Sequence, residues 1–407
     1  MILQTQEKGV ILQKAKGNNM ERRIYLDNIS STNISSEVLN EVLPCFTTFY
    51  GEASKSHVFG REASGLLNRA KDKIAKAINA NTGEIYFTSG VVESNNWAIL
   101  GLAHANKSKG NHIIVSKLED ESVLACCKKL ESEGYKVDYI NCDSEGLVSL
   151  VELLHYISED TILVSVKAID SSIGTIQNIK TLSSIAHDKG AIFHTDASNA
   201  LGFIKVDVVD MGIDAMTISS HCVHGPKGVG ALYVKSEVKI DKLLLGSSNE
   251  ENVLIESLNV PLIVGMGKAL DIANRDLVTN NQKLKGLRDY FIRNINDKIE
   301  YIKINGHPYQ KVNNILSVSF EMVNSQSLMM ALDCEGISVS ASINDDMSKD
   351  RTLKAIGLDE QHIFGTLRFS FDKSISKDDI DFVIETLAKQ VARLRALSPI
   401  TKTGRAK

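Results

Sequence analysis

The sequence predicts an α/β fold, with a large unit on a mostly parallel sheet followed by a smaller α+β unit. Short β-rich runs alternate with amphipathic helical segments across the first two-thirds of the 407 residues. After about Asp271 the alternation stops, and a long helical stretch leads into two further strands and a closing helix. Apolar strands separated by helices build a parallel sheet covered on both faces. A chain of this length suits one large domain plus a smaller one.

In chain order, strands are expected at 85–88, 112–116, 161–169, 191–196, 215–219 and 230–234, with helices at 123–133 and 179–189. Ligands on such sheets bind beyond the carboxyl ends of the strands, where the chain turns into helices. In the smaller unit, strands at 315–320 and 366–371 flank a helix that ends near Gly336. The last helix has Ser376 at its N-cap with acidic residues just behind it. Ile380, Val383, Ile384, Leu387, Val391 and Leu394 then form one apolar stripe. The expected organisation is a polar extension at 1–23, a large domain at 24–272, a small domain at 273–400 and a tail at 401–407. The first residues of the large domain reach the small one as an arm. Met20 is read as an alternative start to Met1.

Composition narrows the function classes. With 43% hydrophobic and 24% charged residues and a net charge of −4, the chain is ordinary globular protein with no polyanion signature. Its six cysteines (Cys45, Cys126, Cys127, Cys142, Cys222 and Cys334) form no CxxC pair. That usage fits reduced thiols in a cytosol better than a disulfide frame or a zinc site. No apolar run approaches the roughly 18 residues needed to span a membrane. The first 23 residues lack the apolar stretch of a secretory signal. The expectation is a cytoplasmic protein with no metal and no nucleic-acid or membrane partner.

Short motifs then follow in order. Ile24-Tyr25-Leu26-Asp27 opens the fold, followed by Ser56-His57-Val58-Phe59-Gly60 and by Phe87-Thr88-Ser89-Gly90 with Glu93-Ser94-Asn95-Asn96. Later come His194-Thr195-Asp196-Ala197, Ser219-Ser220-His221, Gly225-Pro226-Lys227-Gly228 and Leu367-Arg368-Phe369-Ser370. From about Arg23 to Pro399 the chain resembles the cysteine desulfurases, part of the class V aminotransferase group of pyridoxal-phosphate enzymes. The resemblance implies fold type I, the pyridoxal-phosphate transferase fold, and a homodimer.

It also implies a cofactor site. Gly90, Val91 and Val92 open a helix after a strand, a place where backbone N–H groups can hold a phosphate, although the family carries a hydroxyl at Val92. Asp196 matches the aspartate that pairs with the pyridine nitrogen; the alternative is a solvated strand-end carboxylate. Asn199 stands where a glutamine touches the ring hydroxyl, and Ser219, His221 and Ser257 match phosphate ligands. Arg368 matches the arginine that binds the substrate carboxylate, or else pairs with a nearby acid such as Asp372.

The departures fall on the chemistry. The cofactor lysine should follow His221, and the residue there is Cys222, which has no amine to form a Schiff base. Lys227 belongs to the separate Gly-Pro-Lys-Gly turn. The ring-stacking histidine position is Asp120, and the Asn-Asn-Glu beside the ring reads Asp170-Ser171-Ser172. After the lead Gly336-Ile337-Ser338-Val339-Ser340, the sulfur-accepting cysteine position falls at Asp345, and a carboxylate carries no persulfide. Cys334, before that lead, is read as a buried helix residue. The resulting expectation is a cysteine desulfurase-like protein without desulfurase activity. It would have a binding or regulatory role in iron–sulfur or sulfur-transfer metabolism, beside an active desulfurase or assembly proteins. It would hold pyridoxal phosphate weakly and non-covalently, or not at all. The alternative is an enzyme acting on an amino acid with non-covalent cofactor or a relocated lysine, for which Lys167 is the candidate.

Overall fold

The computed structural model describes residues 22–243, 258–342 and 350–398. The chain enters on β1 (Ile24–Tyr25). Seven strands then form one sheet: β2 (Ile85–Thr88), β3 (His112–Ser116), β4 (Lys136–Ile140), β5 (Thr161–Ser165), β6 (Ile192–Asp196), β7 (Ala215–Ser219) and β8 (Gly230–Val234). Their order is β2-β8-β7-β6-β5-β3-β4. Pairings from β4 through β7 are parallel, and β8 runs antiparallel between β7 and β2. The mostly parallel sheet is thus present.

Every residue of β3, β5, β6, β7 and β8 is buried, which explains why these strands read as continuous apolar runs. β4 is the edge strand; Lys136 is exposed and its sequence is mixed, so it left no strand signal. The strand expected at 161–169 leaves the regular ladder at Ser165, but Val166 and Ala168 still donate to the carbonyls of His194 and Asp196. This carries the chain straight to the turn at Asp170.

The second sheet, β12-β13-β10-β9, is antiparallel and comprises β9 (Ile302–Asn305), β10 (Ile315–Phe320), β12 (Ser340–Ala341) and β13 (Thr366–Ser370). β1 pairs in parallel with β11 (Ile337–Ser338). Ile24 and Leu26 enter the core formed by Leu284, Phe291, Phe320 and Phe369. Gly336 permits this junction: its φ is +82°, and a Cβ there would run into the Arg22 carbonyl. The helix Val260–Arg275 runs unbroken through 272 and 273, both packed in the larger core.

The last helix, Lys377–Leu397, starts on a capping box between Ser376 and Asp379, and Ile380, Val383, Ile384, Leu387 and Val391 are buried. One expectation is corrected. Cys334 is exposed, because the helix Ser325–Asp333 ends before it and buries the face of Leu328 and Leu332. Among the described residues no helix is long and apolar enough to cross a membrane.

Candidate functional site

The parallel arrangement brings the carboxyl ends of β2, β3, β5, β6 and β7 to one edge of the sheet. Thr88 and Ser219 both pair with Gly230, and Thr217 pairs with Asp196. After β2 the chain turns through Gly90 at φ +151°, ψ −166°, a conformation open essentially to glycine alone. Val91 and Val92 begin the next helix, and Val92 is exposed. The N–H and hydroxyl of Ser89 both donate to Oε2 of Glu93 at 2.6 Å.

Asp196 is buried at the end of β6 and already holds two donors. Asn95 Nδ2 donates to its Oδ2 and the Ser198 N–H to its Oδ1, each at 2.9 Å. Asn95 Nδ2 also donates to Ser122 Oγ at 3.0 Å, and Ser122 Oγ donates to Asp120 at 2.6 Å. Asp120 is the N-cap of the helix Glu121–Ser132 and accepts the Ser122 N–H at 2.9 Å. Burial works against its charge, but the Ser122 hydrogen bonds hold its carboxyl below the usual range. The carboxylate at the expected stacking position is therefore a helix cap wired to Asp196. Of the intermediates, Asn95 stood in the sequence only as part of the Glu93-Ser94-Asn95-Asn96 motif, with no role assigned, and Ser122 was not singled out.

Lys167 is buried. Burial pulls its ammonium toward neutrality, but Asp170, Glu119, Asp196 and Asp120 together hold its proton more tightly than usual. Its Nζ lies 3.7 Å from Asp170. Lys167, the candidate for a relocated Schiff-base lysine, therefore stands as an ion pair with Asp170. Glu119 is pushed up to about 8 by burial and by Asp196, against the pull of Lys167. Its Oε1 accepts the Lys167 N–H, and its Oε2 is buried without a partner.

Glu119, Asp120 and Lys167 line a polar cleft of about 620 Å³, whose other walls include Asp350, Arg351 and Arg368. Arg368 Nη2 donates to Asp27, Ser30 and Ser340, all at 3.0 Å, while its Nε is buried and unpartnered. The acid it pairs with is therefore Asp27. Asp372, past the end of β13, pairs instead with His224 at 3.1 Å. Cys222 does not line this cleft. It is buried in a single helical turn, beside a cavity walled by Phe203, His224 and Phe371. Burial raises its thiol to about 11. Next to it, burial and Lys227 keep the His221 imidazole neutral further below its usual range. Asp345 and Ser257 lie outside the described residues.

A profile of the class-V aminotransferases matches residues 24–383. The chain belongs to the class-V aminotransferase family. It is 39% identical over 386 residues to cysteine desulfurase IscS of Clostridium botulinum strain Hall, covering 94% of this chain and 97% of that one. It is also 39% identical over 396 residues to cysteine desulfurase IscS of Methanosarcina thermophila, covering 96% and 98%. Among solved structures, a NifS-like protein superposes with a TM-score of 0.87 at 30% identity, covering 91% of this chain and all of that one. The fold of this class-V aminotransferase relative is the pyridoxal-phosphate fold type I.

Membership implies pyridoxal phosphate, and the site matches it at two ends only. Asn199 Oδ1 is buried with no partner, as a polar ligand contact would leave it, whereas the buried Ser219 Oγ has the Cys222 thiol beside it. Gly90 has open space where a Cβ would stand. At the ring the match fails. Cys222 offers no amine, and carboxylates stand at Asp120, where the resemblance expects the stacking histidine, and at Asp170, in the stretch expected beside the ring. The carboxylates are already satisfied by Ser122 and, for Asp170, by the N–H groups of Ser172 and Ile173.

Proposed function

We propose that this class-V aminotransferase relative is a cysteine desulfurase-like protein without desulfurase chemistry. It would serve a binding or regulatory role in iron–sulfur or sulfur-transfer metabolism in the cytoplasm. The observation that carries this reading is Cys222: a buried thiol at the lysine position, set beside a different cavity from the one that holds Arg368. The cleft and the unpartnered Nε of Arg368 support retention of a small-molecule site. Division near 272, self-association as a homodimer, and work beside an active desulfurase or assembly proteins complete the proposal. The test is borohydride reduction of the purified chain after incubation with pyridoxal phosphate, with peptide mapping, alongside sulfide release from cysteine. No lysine adduct and no sulfide are expected; an adduct accompanied by sulfide overturns the reading.

A second reading, reversible non-covalent cofactor, is favoured by the orphaned Asn199 Oδ1. A saturable change in the cofactor's absorbance that disappears on dialysis would support it.

A further inference from the structure

The charges near the expected ring position do not suit an incoming anionic cofactor, but they do complement one another. Three strand ends contribute: Glu119 and Asp120 follow β3, Lys167 and Asp170 follow β5, and Asp196 closes β6. Asp170 is fully closed to water and accepts from Ser172 N, Ile173 N and Thr352 Oγ1 at 2.8, 3.1 and 2.9 Å. Asp196 is likewise buried, with its two donors from Asn95 and Ser198. Neutral donors of this kind orient a carboxylate without cancelling its charge, and uncompensated buried charge is strongly destabilising. Lys167 is 7% exposed with Nζ 3.7 Å from Asp170; its backbone N–H donates to Glu119 Oε1, and the neighbouring Ala168 N–H donates to the Asp196 carbonyl.

We infer that Lys167 is the site's built-in counter-charge, an ammonium that holds the ends of β3, β5 and β6 together so that the site is electrostatically complete with no cofactor bound. This goes beyond the functional reading, since it concerns how the site is held together rather than which reaction has been lost. Pyridoxal phosphate brings a phosphate and a ring oxygen, both anionic, to a cluster whose central cation is already engaged. Its binding should therefore be weak.

Thermal unfolding of the full-length protein tests the inference. Lys167→Met should lower the melting midpoint by about 5–10 °C, the effect of stripping one partner from a buried pair in a chain of this size. Adding Asp170→Asn to that variant should recover at least about half of the loss, a coupling that simple packing loss would not produce. Pyridoxal phosphate at about 0.1 mM should move the wild-type midpoint by under about 1 °C, as linkage requires of a ligand that binds weakly. The inference is overturned if Lys167→Met melts like the wild type, if Asp170→Asn adds a further loss, or if pyridoxal phosphate raises the wild-type midpoint by several degrees. Should Lys167→Met fail to fold, a folded double variant supports the inference and an unfolded one overturns it. Borohydride mapping reads the functional proposal separately, so the two can fail independently.

Discussion

Sγ of Cys222 lies 3.8 Å from Nδ1 of His221, beside the cavity of Phe203 and Phe371 and away from the cleft of Lys167. Cys222→Lys puts a primary amine back on this turn, at the position where the resemblance expects the cofactor lysine. Borohydride should then trap pyridoxal phosphate on residue 222, with affinity limited by Val92 and Asp120. Sulfide release from cysteine should stay absent, because the stretch from Ser340 to Asp350 contains no thiol. A variant that takes up no cofactor would show that the pocket itself has been rebuilt.

Glu119 supplies a pH dependence of defined sign. In the fold it keeps its proton up to about 8, because burial and Asp196 disfavour the carboxylate, whereas the unfolded chain releases it near the ordinary value. Its contribution is therefore favourable below the ordinary carboxylate range and is lost as pH rises toward 8. Glu119→Gln should flatten the unfolding free energy between about pH 5 and 8 and stabilise the protein at pH 8 by on the order of a few kcal/mol. Asp350, raised by burial and by Asp170, should leave a residual slope of the same sign. Urea titrations across pH read this directly; an unchanged slope would contradict it.

Arg368 joins β13 to the N-terminal arm through Asp27 and Ser30 and to β12 through Ser340. Arg368→Ala should cost about 2 kcal/mol by leaving a partly buried carboxylate without its cation. Arg368→Lys should recover part of this, since one ammonium cannot reproduce the planar fork. Equal denaturation midpoints for all three proteins would remove Arg368 from this role.

Leu39, Leu43 and Phe46 are exposed along one face of the helix Ser36–Thr47, with Tyr50 and Phe59 exposed nearby and their ring centroids 5.7 Å apart. We expect this apolar face to form the homodimer contact. Leu43→Glu with Phe46→Glu should convert dimer to monomer in light scattering without lowering helix content. A wild-type monomer at micromolar concentration would defeat the proposal.

The buried strands were legible in the sequence because each is a short apolar run, and Ser376 was legible because caps are chemically distinctive. β4 and β9 were not, since half-exposed edge strands carry mixed residues. Asp120 shows the limit at the site. Its departure from the family pattern was visible in the chain, but its work as a helix cap joined through Ser122 and Asn95 to Asp196 depends on three segments meeting. The exposure of Cys334 was missed for a related reason, as it turns on where one helix stops.

The pairing of β1 with β11, and the bond from Asn28 to Ser370 across 342 positions of sequence, impose an order on how the molecule assembles. Strands β3 through β8 can pair from neighbouring strand–helix units as the chain leaves the ribosome, with β2 joining once β8 is made. Leu26, by contrast, must wait with its apolar side chain exposed until the last strand and helix have been synthesised. The smaller core is thus the last to form, and its opening to the strand ends takes shape only when the two extremities of the described chain meet.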